Sequence, residues 1–234
     1  MPDVEITVRG TATTAHPPEF ATVYLAASAQ GSERGEVHER ADVAAKAITQ
    51  AITPLVDADR GPITQWSSEQ LRVDTYREYQ GKHDREALVH QADVSFRVRF
   101  GGSDAWTDGF ARLGAWLGAV VAVEDVAVRH VEWSLTDERR AQLTEQVRSD
   151  AVRDAQQRAA GYARDLGLTI VRPVAAADPG LLGRSVEHGG AVPAAGGAVR
   201  YSMKAGGMDV NFAPEDIEVG AAVDMRFIAA DSAD

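Results

Sequence analysis

The longest helical pattern in the chain, residues 137–166, most constrains what the chain can fold into. Thr136 is a suitable N-cap before it, and Gly167 can close its C-terminus. Apolar and small residues recur along one side, mostly every four positions. They are Leu143, Val147, Ala151, Ala155, Ala159, Tyr162 and Leu166. The alanines in the middle of this stripe predict that a neighbouring backbone approaches the helix closely.

The remaining patterns predict strands and two further helices. Strands are predicted at 4–8, 20–29, 65–80, 86–100, 126–135, 168–175 and 217–227, and helices at 33–56 and 103–120. We expect strands 65–80 and 86–100 to form a hairpin with a polar tip at 81–84. This order predicts an α+β fold, in which helices cover an antiparallel or mixed sheet. It resembles a split βαβ-like core with an added long helix and C-terminal strands.

One segment, about 176–213, is rich in glycine, alanine and proline and has no sustained period. Loops of this length inside a compact domain are usually functional or disordered, and both interpretations stay open here. We therefore predict a single domain over 1–234 that contains this long Gly/Ala-rich loop.

The composition excludes several classes of protein. A net charge of −11 with scattered basic residues disfavours nucleic acids and anionic membranes as partners. The absence of cysteine removes disulfides, thiolate zinc sites and cysteine nucleophiles. No apolar run of about 18 residues is present, so no membrane insertion is expected. The start, MPDVEITVRG, has no signal pattern. We expect a cytoplasmic protein, or a periplasmic or secreted one if an export signal was trimmed.

A metal site would need convergent ligands, and the best local pair is His130 with Glu132. They lie two apart on a predicted strand and so face the same side. No third ligand is suggested, and a histidine in such a place is more often hydrogen-bonded at a rim. His83 and Asp84 fit solvated turn residues better than ligands.

The candidate catalytic motifs are incomplete. Residues 183–187 lack the last glycine of a nucleophile elbow, and Ser202 with Lys204 would need burial that a Gly-rich loop does not indicate. Residues 101–103 precede a helix but lack the Walker lysine. We therefore predict no catalytic, cofactor-binding or metal-binding residue and no cofactor.

The tryptophans could line a ligand pocket, but aromatic packing between helices and a sheet is the favoured interpretation. They are Trp66, Trp106, Trp116 and Trp133.

Four segments carry a resemblance to a known family. They are VEITVRGTAT, ADVAAKAITQAI, VEWSLTDERRAQLTEQVRSDAVRDAQQRAAGYARDLG and, after the Gly-rich loop, PEDIEVGAAVDMRF. In this order the chain resembles the SIMPL-domain family, which includes a kinase-interacting signalling protein and bacterial periplasmic immunogenic and stress-associated proteins. The given start shows no export-signal pattern, which many bacterial members have, and Glu215-Asp216 stands where a glycine turn is usual.

The resemblance implies an α+β fold, no established enzymatic activity and, in some members, assembly into large ring-like or channel-like oligomers. We therefore predict a non-enzymatic, self-assembling scaffold or interaction protein, with a stress-associated role implied by the family. It would form a homo-oligomer or bind a protein partner through its Gly-rich loop and hairpin tips. The alternative is a small-ligand or peptide-binding module, or an enzyme, whose pocket is covered by the 176–213 loop.

Overall fold

The computed structural model describes residues 3–57, 61–80, 85–101, 106–182, 199–202 and 215–231. Its elements are β1 (Val4–His16), β2 (Phe20–Gly31), α1 (Arg34–Ile52), β3 (Ile63–Ser68), β4 (Arg72–Gln80), β5 (Arg85–Gly101), α2 (Trp106–Val121), β6 (Val126–Ser134), α3 (Asp137–Asp165), β7 (Ile170–Ala177), β8 (Val199–Ser202) and β9 (Ile217–Ala230). The strands form two antiparallel sheets. The predicted α+β class is confirmed. No helix of the described part is both long and apolar enough to cross a membrane.

The chain divides into two compact units. The first comprises Met1–Pro17, Thr136–Gly197 and Asp216–Asp234, and the second comprises Pro18–Leu135 and Ala198–Glu215. Units of dense contact and family domains are different divisions of a chain, so the interpretation of 1–234 as one domain stays a prediction.

The first unit is a three-stranded sheet, in the order β1-β9-β7, with α3 packed on one face. Its core joins alternate residues of the strands to the alanines of the helix: Ile6, Val8, Ala155, Ala159, Ala163, Leu168, Met225, Phe227 and Ala229. At Gly10 of β1, an added Cβ would lie 2.0 Å from the carbonyl oxygen of Ala151. The predicted close approach of a neighbouring backbone to the alanine stripe is therefore confirmed.

The observed ends of α3 and its buried stripe agree with the sequence prediction, with one exception. Thr136 accepts the N–H of Arg139 at 3.0 Å, and Gly167 has a φ of +75°, so both predicted end signals are confirmed. The prediction that Tyr162 and Leu166 face inward is wrong, because these two residues are 58% and 56% exposed. The four-residue spacing runs from Ala159 to Ala163, which is buried instead.

The second unit is a six-stranded sheet whose main path is β3-β5-β2-β6-β8, with β4 also paired to β5. Helix α1 packs on β2 and β5, and α2 contacts α1, β5 and β6. Trp116 and Trp133 are buried, which confirms core packing for these two. The indole N–H of Trp116 donates to the carbonyl oxygen of Ala51 at 3.1 Å. The predicted cap Ser103 and the side chain of Trp106 lie outside the described residues.

The predicted strand 65–80 is wrong as a single element, because it is divided into β3 and β4. Both pair with β5, β3 from Ile63 to Ser68 and β4 from Arg72 onward. The chain leaves the ladder at Glu69, whose N–H donates to the carbonyl oxygen of Ser95 at 2.9 Å. The hairpin tip, 81–84, lies outside the described residues, as do 183–198 and 203–213 of the predicted loop. Strand β8 lies between these last two ranges.

Candidate functional site

One face of the second unit's sheet carries a row of interacting polar and aromatic side chains. Tyr24 of β2 lies between Arg97 of β5 and His130 of β6 in the strand register. The Tyr24 and His130 rings stack with centroids 4.1 Å apart, and the guanidinium carbon of Arg97 lies 5.5 Å from the Tyr24 centroid. The Tyr24 hydroxyl donates to Glu132 at 3.0 Å. The tyrosine is therefore fixed from several sides.

A bulge in β6 adds a second basic side chain next to His130. The register between β2 and β6 shifts between Tyr24 and Leu25, which leaves Arg129 as the extra residue. Arg129 and His130 therefore line the same cleft although they are consecutive. Such a bulge re-aims a side chain that regular alternation would turn to the opposite face.

Arg129 forms an ion pair across an intervening strand. Its guanidinium donates to Asp93 of β5 at 2.9 Å, and β2 lies between β5 and β6 in the sheet. The β2 residues at this level are small, namely Ala26 opposite Ser95 and Ser28 opposite Asp93. Small side chains leave room for the ion pair to pass over β2.

These residues surround an open cleft of about 470 Å³. Its walls include Ser67, Glu69, Ser95, Arg97, Arg129 and His130. The volume lies in the range of small-molecule sites, and the lining offers both donors and acceptors. Sequence reasoning missed the cleft, because it depends on the register of four strands and on the bulge.

The predicted metal pair lies beside this cleft. His130 and Glu132 face the same side of β6, as the spacing predicted, but His130 stacks on Tyr24 and Glu132 accepts its hydroxyl. Among the described residues, no three carboxylate or imidazole groups are placed to hold one metal ion. The pair therefore supports the tyrosine rather than forming a metal centre with a third ligand from this part of the chain.

The other sequence candidates are not brought into this cleft by the described part of the structure. The candidates that lie outside the described residues are 183–187, His83, Asp84 and Lys204. Ser202 ends β8, and its side chain is likewise outside the description.

A buried carboxylate in the first unit forms a second polar cluster. Asp224 of β9 accepts from Arg9 of β1 at 2.6 and 3.0 Å and from the N–H of Gly180 at 2.7 Å. The Arg9 and Gly180 hydrogen bonds hold the pKa of Asp224 below its ordinary value, although burial acts in the opposite direction. Arg226 donates to the carbonyl oxygen of Leu182 at 3.0 Å. The segment after β7 is thus tied to the sheet at two points.

A third feature is an exposed two-stranded extension of the second sheet, which we call the β4–β5 ribbon. It consists of β4 and residues 85–93 of β5, of which 90–93 also pair with β2 on their other side. The pairing of β2 with β5 ends at Gly31 and His90, so the ribbon beyond that point has only two strands in the described structure. Tyr76 and Leu88 on the ribbon are 39% and 56% exposed.

Three other edge strands, β1, β7 and β3, carry features that oppose pairing with a further strand. On β1, the N–H of Thr11 donates to Asp154 of α3 at 2.9 Å and is not available to a new neighbour. On β7, Pro173 has no N–H, and a bulge follows it. The short strand β3 has an irregularity between Ile63 and Gln65. The described part of β4 has a regular register along its whole length and none of these devices.

Comparison with known protein families identifies the family of this chain. No curated protein matches the chain. Residues 6–227 match the SIMPL family, which is described as a protein of unknown function (DUF541). The matched range reaches every strand and helix of both units, from β1 to β9. This chain therefore belongs to the SIMPL family.

Proposed function

We propose that this SIMPL protein is a self-associating interaction protein that uses the edge of β4 as its contact surface. The observation that carries the proposal is the regular, exposed edge of β4, whose second half pairs with β5 where β2 no longer does. An edge strand presents a row of N–H and C=O groups that a further strand can pair with. A two-stranded ribbon is also marginally stable by itself, so a third strand would stabilise it.

The sequence of β4 fits a second copy of itself as the partner. In an antiparallel pair centred on Thr75, Arg72 of each copy lies opposite Glu78 of the other. Both residues are exposed and separated by an even number of positions, so they share one face of the sheet. Opposite charges placed directly across two strands favour pairing, and a two-fold dimer is the commonest protein assembly.

A single cysteine tests this register directly, because the chain contains none. Two Thr75 residues on the two-fold axis would have Cα atoms about 4.5–5.5 Å apart, which a disulfide can span. We expect Thr75→Cys to form a disulfide-linked dimer under mild oxidation.

Thr11→Cys is the matched control, since Thr11 is also exposed on an edge strand but its N–H is bonded to Asp154. We expect this variant to remain reduced under the same conditions. Equal oxidation of the two variants, or none in either, would show that β4 does not pair with β4 in this register.

Contacts through the hairpin tip or the Gly-rich loop involve residues outside the described ranges and stay predictions. The stress-associated role and the cellular compartment also stay predictions.

A second function, small-ligand binding, is supported by the cleft beside Tyr24. Its test is a thermal-shift screen with chemically diverse small molecules, since a ligand that binds the folded state raises the unfolding temperature. Loss of the shift on Arg97→Gln would assign the binding to the cleft. A screen without any reproducible shift would contradict this function.

A further inference from the structure

We propose that the cleft binds a small zwitterion, a short peptide with free ends, with the ligand carboxylate at Arg97 and its amine at Glu69. This inference rests on the second proposed function, small-ligand binding, and names the chemical class of the ligand.

Two of the charged side chains in the cleft form an ion pair with each other, and one cation and one anion remain for a ligand. Arg129 and Asp93 are paired with each other at 2.9 Å. Arg97 and Glu69 remain, and neither has an ion-pair partner among the described residues. A purely anionic ligand would meet Glu69, and a purely cationic one would meet Arg97. A ligand that carries both charges satisfies both groups.

The neighbouring Tyr24 holds Arg97 in a position from which it can bind a carboxylate. Its guanidinium lies over the Tyr24 ring, which is stacked on His130 and hydrogen-bonded to Glu132. A guanidinium on an aromatic ring keeps its N–H edges free for a carboxylate. Because these contacts already restrict the arginine, less conformational entropy is lost when a ligand binds.

The strand positions of Arg97 and Glu69 suit a dipeptide ligand. Ser67 lies opposite Arg97, and Glu69 follows two residues later along the chain, with its N–H bonded to Ser95. Two residues of extended strand span about 7 Å, which is close to the separation of the two termini of a dipeptide. The hydroxyls of Ser67 and Ser95 can donate to and accept from a peptide amide between these ends.

Three matched ligands test the class: dialanine, N-acetyl-dialanine and dialanine amide, measured by isothermal titration calorimetry. Dialanine carries both charges, the acetyl form lacks the amine, and the amide form lacks the carboxylate. We expect dialanine to bind best and each blocked form to bind about tenfold more weakly, as is typical for loss of a charge-assisted hydrogen bond.

Variants assign each charge to its residue. In Arg97→Gln, dialanine and its amide should bind equally, and in Glu69→Gln, dialanine and its acetyl form should bind equally. Arg99→Gln is the control, because Arg99 lies two residues along the same strand, over Phe20, and does not line the cleft. This variant should still bind dialanine more tightly than either the acetyl form or the amide.

The outcomes separate this inference from ligand binding in general. Equal binding of the three ligands would contradict the inference that the ligand is a zwitterion, but the cleft would remain a ligand-binding site. No saturable binding of any of the three at millimolar concentration would also overturn it. In that case, an Arg97-dependent shift with inorganic phosphate or a sugar in the thermal screen would preserve small-ligand binding with another ligand class.

Discussion

At the residue scale, Asp224 shows how a carboxylate is accommodated inside an apolar strand. It lies between Val223 and Met225 of β9 and is 9% exposed. Burial of an unpaired carboxylate would be strongly unfavourable, but Arg9 and the Gly180 N–H donate three hydrogen bonds to it. Asp224 therefore links β1, β9 and the segment after β7.

Replacing this carboxylate should remove a pH-dependent part of the stability. Because the folded-state pKa of Asp224 is lowered, its contribution is present above the unfolded-state pKa of about 3.9 and is lost as pH falls through the folded value. We expect Asp224→Asn to lower the free energy of unfolding by about 1–2 kcal/mol at neutral pH. Urea denaturation should show this difference shrinking below about pH 4.

Asp150→Asn is the control for this experiment. Asp150 pairs with Arg153 on the exposed side of α3, where both side chains are well solvated. Ion pairs of this kind contribute little, so we expect almost no change at any pH. If Asp224→Asn lowers the free energy of unfolding by the same amount at every pH, the charge of Asp224 does not provide the stabilisation.

At the element scale, the contact between α3 and β1 depends on three small residues. Gly10 faces Ala151 and Ala155, and a Cβ on Gly10 would lie 2.7 Å from the Ala155 nitrogen and 2.8 Å from its Cβ. The neighbouring atoms belong largely to backbone and cannot rotate away. The close packing of the helix on the sheet therefore requires glycine at this position.

Adding a methyl group at Gly10 should be costly. We expect Gly10→Ala to reduce the free energy of unfolding by about 3 kcal/mol, because the helix must move away from the strand. Gly161→Ala is the matched control in α3, where a Cβ would meet nothing within 4 Å. This change should stabilise by up to about 1 kcal/mol through helix propensity. Denaturation midpoints that fall equally in both variants would contradict the steric account.

The sequence predicted elements where local signals are strong. The cap at Thr136 and the four-residue alanine stripe identify α3 and its inward side without any tertiary information. The stripe was wrongly extended to Tyr162, three residues after Ala159, whereas the four-residue spacing continues to the buried Ala163. The division of 65–80 into β3 and β4 also escaped prediction, because both segments have strand-like composition and the break depends on pairing with β5.

The cleft lies beyond prediction from one sequence for a related reason. Arg129 and Asp93 are distant in the chain and meet only because β2 separates their strands and is small at Ala26 and Ser28. The bulge that exposes Arg129 has no recognisable local signature. His130 and Glu132 could be placed on one side of a strand in advance, but their contacts with Tyr24 could not, because they depend on the pairing of β2 with β6.

At the scale of the whole molecule, the central claim is self-association through β4. β1, β3 and β7 each carry a feature that opposes further pairing, and the described part of β4 has a regular edge with no described strand paired to it. The charges on β4 are of both signs and match those of a second, antiparallel copy. Assembly through this edge would join two six-stranded sheets into one continuous sheet.

The most direct test is the solution mass by light scattering over a range of protein concentration, with a charge-swap series. We expect the wild-type mass to rise above the 25.0 kDa of one chain. Arg72→Glu and Glu78→Arg should each weaken association through like-charge repulsion, and the double variant should restore it. A wild-type mass that stays at 25.0 kDa, or an assembly unaffected by Arg72→Glu, would contradict the account.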